Sequence, residues 1–221
     1  MIKKNTKFLW LAAGILLLLF TVLIVLVKCV DVQAIGPENS EIGLAALNGA
    51  VHDAVGVHDS WYTVTDWIGK GSIALGLLFA CLGVYQLIRR RSFARVDMDL
   101  YLLGATYVVL ACLYLFFEFC IVNYRPVILD AGLEASFPSS HTMLTVCILG
   151  CALFQIRRRV PNRPLRIVLM VLSALVIAVM VVGRLLSGVH WFTDILGGVL
   201  LGTALTLVYI ALVQTLQKEK T

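Results

Sequence analysis

Apolar residues fall in six long blocks, roughly 8–28, 67–88, 100–122, 140–156, 166–183 and 191–214, separated by short polar stretches. A run of about 20 apolar residues is long enough to cross the hydrocarbon core as a helix that satisfies its own backbone. The runs are continuous rather than alternating, which predicts helices and not barrel strands. The fourth block is short by this measure and is expected to extend or tilt. Between the first two blocks, 38–60 (ENSEIGLAALNGAVHDAVGVHDS) places apolar residues at helical spacing among polar ones. It is too polar to span, so one or two amphipathic helices at the outer surface are expected, either as a lid or lateral gate or as a passive cover. The pattern predicts an all-α polytopic membrane protein, six helices in one bundle, with 1–221 as a single domain. The first block follows Lys3, Lys4 and Lys7, has spanning length and lacks a small-x-small cleavage site, so it reads as a retained helix.

Charge then orients the bundle. Residues 1–7 hold three Lys, 89–95 four Arg, 157–166 five Arg, and the tail adds Lys218 and Lys220, together 14 of the 18 basic residues. The segment 29–66 has no Lys or Arg and six acids: Asp31, Glu38, Glu41, Asp53, Asp59 and Asp66. The positive-inside rule puts both termini in the cytoplasm and turns 29–66, 123–139 and 184–190 outward.

Composition narrows the class. The chain is 60% hydrophobic and 14% charged, against about 25% charged in soluble domains. Its net charge of +5 sits beside apolar blocks and gives no sign of nucleic-acid binding. Cys29, Cys81, Cys112, Cys120, Cys147 and Cys151 form no CxxC pair and read as small packing residues. His52 and His58 read as solvated surface residues. Gly197, Gly198 and Gly202 predict close helix contact, and Trp61, Tyr62 and Trp67 an interfacial belt.

The candidate chemistry lies in three breaks that all fall on the outward side. Ionisable groups near a bilayer are costly and are kept where they act. His190 and Asp194 are four residues apart, so a carboxylate could fix the imidazole tautomer and free its other nitrogen for attack, or the two could simply tie helices together. Arg125 and Arg184 offer planar forks suited to phosphate oxygens, or anchor lipid head groups. Pro138-Ser139-Ser140-His141 opens a helix whose first amides favour an anion, with serine hydroxyls as added donors, or is a plain cap. His141 would sit in the first turn, placed to protonate a leaving oxygen.

Together these residues resemble the type 2 phosphatidic acid phosphatase (PAP2) superfamily, which also includes vanadium haloperoxidases. Its pattern is Lys, six residues, Arg-Pro; then Pro-Ser-Gly-His; then Ser-Arg, five residues, His, three residues, Asp. Arg125-Pro126, Pro138, Ser139, His141, Arg184, His190 and Asp194 match it, within about 118–194. Glu118 stands where the family has Lys, Ser140 where it has Gly, and Gly183 where it has Ser. A carboxylate beside a phosphate is unfavourable, so Glu118 is expected to be protonated, paired with an Arg, offset by another cation such as Lys70, or used to read an amine or sugar. The resemblance implies that His190 attacks phosphorus, Asp194 orients it, Arg125, Arg184, Ser139 and Ser140 hold the phosphoryl oxygens, and His141 protonates the leaving group. It implies no metal and no cofactor. The implied substrate is a lipid phosphate reached from within the membrane: undecaprenyl pyrophosphate by slight preference, or phosphatidylglycerol phosphate or phosphatidic acid. The size and layout suggest a bacterial cytoplasmic membrane. The same residues would serve a lipid phosphotransferase, and Glu118 also admits a non-catalytic lipid-phosphate binding or transport protein.

Overall fold

The computed structural model describes residues 2–129 and 132–218. Within them run seven α-helices: α1 (Ile2–Cys29), α2 (Ala45–Val55), α3 (Asp59–Arg90), α4 (Met98–Phe119), α5 (Ser140–Arg159), α6 (Arg163–Leu186) and α7 (Phe192–Lys218). All but α2 are long and apolar enough to cross a membrane, which makes this an integral membrane protein of six spans. The fourth span is a full helix of 20 residues whose last turn is the triple arginine.

The second span begins earlier than its apolar block. Its first two turns, Asp59 to Asp66, are mixed in polarity because one side of them packs on other helices: Thr65 is buried, and Trp61 and Thr65 lie against Gly183. The polar segment before it forms a single α-helix, α2, preceded by a short 3-10 turn at Pro37–Asn39. Asn48 of α2 is fully buried; its amide donates to Gly43 O (2.8 Å) and Thr193 Oγ1 (3.0 Å) and accepts from Thr193 N (3.2 Å). Those bonds tie α2 to the first turn of α7, so it is a fixed cover.

α5 and α7 form the buried centre. A Cβ at Gly198 would meet Ser139 O at 2.9 Å, and one at Gly202 would meet Met143 O at 2.8 Å, so the small residues let the two backbones touch. Cys147 and Cys151 pack here as expected, whereas Cys29, Cys81, Cys112 and Cys120 lie on exposed faces.

Successive spans alternate in direction, which gives the bundle two ends. At the arginine-rich end, Arg159 binds Asp97 (2.9 Å) and Asp99 (2.8 Å), Arg90 binds Asp97 (2.8 Å), and Arg158 reaches Asp99 (3.4 Å). Gln86 donates to Asp97 and Gln155 to Asp99, while Gln155 also donates to Tyr209 Oη. This clasp joins α3, α4, α5 and α7. Partial burial works against it, but Arg90, Gln86 and Arg159 hold the Asp97 carboxyl well below the usual carboxylate range. The other end carries α2 and the three breaks.

Candidate active site

The connection from α4 to α5 folds back on itself. Tyr124 and Ala135 form an antiparallel bridge, flanked by Arg125 N donating to Glu134 O (3.1 Å) and Ser136 N donating to Asn123 O (2.9 Å). Because side chains alternate across such a pairing, Asn123, Arg125, Glu134 and Ser136 share one face. Next in the chain, Phe137 is driven into the core, stacked on Phe20 (5.7 Å) and edge-on to Phe117 (6.3 Å). That anchor fixes the start of α5 and the face beside it.

The shared face meets the turn between α6 and α7. Gly188 lies in the left-handed region (φ 68°) and its Cβ position is filled by Gly56 O at 2.2 Å, so only glycine fits there. The turn places His190 just before α7. Its Nδ1 lies 3.0 Å from Ser136 Oγ and its Nε2 3.3 Å from Arg125 Nη1. His190 Nδ1 is 3.7 Å from Asp194 Oδ2, beyond hydrogen-bond range. Instead Ser136 Oγ donates to Asp194 Oδ2, which also accepts from Trp191 N (2.9 Å); Asn123 Nδ2 approaches Oδ1 at 3.5 Å. The expected direct His190–Asp194 contact is therefore replaced by one through Ser136. Burial first, then the charges of Arg125, Arg184 and His141, push the His190 imidazole well below its ordinary pKa and keep it neutral.

His141, in the first turn of α5, directs Nε2 to Asp66 Oδ1 at 3.3 Å. A Cβ at Gly69 would sit 2.5 Å from the His141 ring, so that glycine makes room for it. Asp66 in turn binds Lys70 Nζ at 2.8 Å. These three residues border a groove of about 800 Å³ between α3, α4 and α5, lined mainly by Ile73, Leu77, Val108, Leu144 and Ile148. Arg184 is 1% exposed; its Nη1 donates to Thr65 Oγ1 (3.3 Å), its guanidinium covers Tyr62 (5.1 Å), and its Nε has no partner. The same close packing of Trp61 and Thr65 accounts for Gly183, since a Cβ there would meet them at 2.8 and 2.9 Å.

The three breaks thus converge, with Arg125, His141, Arg184, His190 and Asp194 in one cluster. Several expectations change. Ser139 is buried and its N–H donates to Asp194 O (2.9 Å), so it braces α7; Ser140 instead borders a small cavity with Glu118, Ser136 and His190. Lys70 is 60% exposed and belongs with Asp66 and His141, not with the arginines. Glu118 is exposed and does not take Arg125, which lies 2.9 Å from Glu134. His52 is not simply solvated: it packs over Trp191, whose Nε1 donates to Tyr124 O at 2.7 Å. Tyr62 covers Arg184, so it is no mere belt residue. Asp66, Asn123, Thr65 and Ser136 were not picked out from the sequence. Only the alternation Asn123-x-Arg125 and Glu134-x-Ser136 signals two of them.

Residues 119–218 match the family model described as the PAP2 superfamily. No curated protein matches the chain in sequence. Among solved structures it is similar to the crystal structure of the first transmembrane PAP2-type phosphatidylglycerolphosphate phosphatase, from Bacillus subtilis. The TM-score is 0.61 over 95% of this chain and 97% of that one, at 20% identity. That likeness extends the agreement in fold to helices outside the matched segment. Residues 119–218 thus carry the match to the PAP2 superfamily, within a six-span membrane fold that the chain shares with that solved structure.

Proposed function

We propose that the protein hydrolyses a lipid phosphate or pyrophosphate on the extracytoplasmic face, through a phosphohistidine. His190 Nε2 attacks phosphorus while the bond to the lipid oxygen breaks in line. His141 gives its proton to that oxygen, with Asp66 supporting its imidazolium form. Arg125 and Arg184 meet the charge on the equatorial oxygens, and the amides of 140–142, which precede the first bond of α5, are further donors. Water then attacks the phosphohistidine, giving its proton back to His141, and phosphate leaves as the N–P bond breaks. In this scheme the arginines carry the electrostatic load.

The carrying observation is that the apolar groove opens beside His141 and Lys70 rather than beside His190. In-line attack places the leaving group opposite His190, so a leaving group that bears a lipid chain would enter that groove from between α3 and α4. The charge pattern of the turns supports the outward face. The test is phosphate release by detergent-purified protein in the presence of a chelator. Undecaprenyl pyrophosphate, phosphatidylglycerol phosphate and phosphatidic acid would be offered, with His190→Ala as control. Release lost in the variant is the expected result. Binding without release from any of the three would overturn hydrolysis, and transfer of phosphate to an added lipid acceptor would make the protein a phosphotransferase.

A further inference from the structure

We propose that Ser136 is a positioning residue for the nucleophile: its hydroxyl is the link through which Asp194 fixes the tautomer of His190. The inference rests on the phosphohistidine reading above, and its geometry is that of the buried trio Ser136, His190 and Asp194, none more than 3% exposed.

Donor and acceptor logic leaves one arrangement. Arginine has donors only, so the His190 Nε2 facing Arg125 Nη1 at 3.3 Å must present a lone pair. A neutral imidazole then carries its proton on Nδ1, which is 3.0 Å from Ser136 Oγ and donates to it. The serine's own proton is free for Asp194 Oδ2, and that is where Ser136 donates. The direct separation of 3.7 Å is too long for a hydrogen bond. Every bond agrees with a nucleophile ready at Nε2. When Nε2 joins phosphorus the ring becomes cationic, and the hydroxyl passes the carboxylate's stabilisation to Nδ1–H without leaving its place. Ser136 is not a nucleophile itself, because its proton is committed to Asp194.

The position is well braced. The backbone of Ser136 is held by Asn123 O, and Phe137 next to it is locked in the core. Asn123 and Trp191 N hold the carboxylate from its other sides. The serine therefore cannot drift, and a change to its hydroxyl acts on His190 and Asp194 first.

Histidine 15N NMR on the detergent-solubilised protein tests this without reference to activity. Wild type should show His190 as the Nδ1–H tautomer, and Ser136→Ala should show a mixture. An unchanged tautomer in Ser136→Ala would sink the proposal. Kinetics on phosphatidic acid in mixed micelles give the second arm. Losing the group that fixes a histidine tautomer can cost on the order of 10⁴ in kcat, and here Asp194 can partly close the gap. Ser136→Ala should thus lower kcat by roughly 10- to 100-fold with KM nearly unchanged, and Ser136→Cys, which keeps the volume with a weaker donor, should fall between. In a double-mutant cycle, adding Ser136→Ala to Asp194→Asn should cost almost nothing, and full additivity would overturn the link. Should wild type fail to release phosphate, the functional reading falls while the NMR result still decides the role of Ser136.

Discussion

The two ends of the bundle both concentrate charge, yet they treat it differently. At the arginine-rich end every carboxylate oxygen of Asp97 and Asp99 lies against arginine or glutamine, so the charges neutralise one another and fasten four helices. At the other end several buried polar atoms of the cluster have no hydrogen-bond partner. Arg184 Nε and His141 Nδ1 are buried without a hydrogen bond, and Arg125 Nε faces Glu134 at 2.9 Å outside hydrogen-bond geometry. A saturated network resists change, whereas an unsaturated cluster of cations is prepared for an anion that comes and goes. Charge alone does not mark a site; charge left unsatisfied at one end does.

The sharpest way to break this comparison is to exchange effects between the ends. His190→Ala should remove turnover by as much as about 10⁶-fold, and Arg184→Ala or Arg125→Ala should each cost roughly 10²–10³-fold, with little change in thermal midpoint. Arg125→Lys should not recover the loss, because a point charge cannot replace the fork. Asp99→Ala should do the opposite: it removes the buried carboxylate that Arg158, Arg159 and Gln155 share, costs about 2 kcal/mol of stability in a thermal or denaturant assay, and leaves turnover per folded molecule unchanged. Next in size is Asp66→Asn. It should slow a lipid ester by about 10²-fold but hardly affect p-nitrophenyl phosphate, whose leaving group needs no proton.

Acid sharpens the comparison further. The unfolded chain takes up a proton at histidine near pH 6.5, while folded His190 resists it, so this contribution to stability is intact above about pH 6.5 and drains away as pH falls below it. Asp97 is also lowered, which for a carboxylate favours the charged form, so its contribution is intact above about pH 4 and is lost only on further acidification. The thermal midpoint followed against pH should fall in two stages, the first missing in His190→Gln and the second in Asp97→Asn. The smallest effect is expected at Glu118, an exposed acid at the rim of the His190 cavity. Two like charges about 4 Å apart in water repel by about 1 kcal/mol, so Glu118→Gln should improve KM for a phosphate lipid by about fivefold.

Much of this was legible in the sequence, and what was missed was missed for physical reasons. Long apolar blocks announce spans, so all six helices were visible, and the spacing of Arg184, His190 and Asp194 survives into the fold. The early start of α3 is hidden because one side of its first turns packs on other helices: a mixed sequence such as Trp61-Tyr62-Thr63-Val64-Thr65-Asp66 gives no continuous apolar signal. The apolar pattern therefore puts Asp66 in the turn before the span, whereas it lies in α3 as the partner of His141. Ser136 was hidden because the pairing that aims it involves a single bridge, too short to leave a recognisable strand pattern. Of the alternatives open to Glu118, pairing with Arg125 is not taken, because Arg125 lies against Glu134 across that same bridge.

The bond from Trp191 to Tyr124 has a practical consequence. Of the four tryptophans, Trp10 and Trp67 are exposed, Trp61 is half-buried, and Trp191 is buried between the His52 ring and the loop that carries Arg125. With the other three replaced by phenylalanine, the remaining indole would be a built-in fluorophore. Its emission would report, in real time and without a label, movements of the loop that carries Arg125.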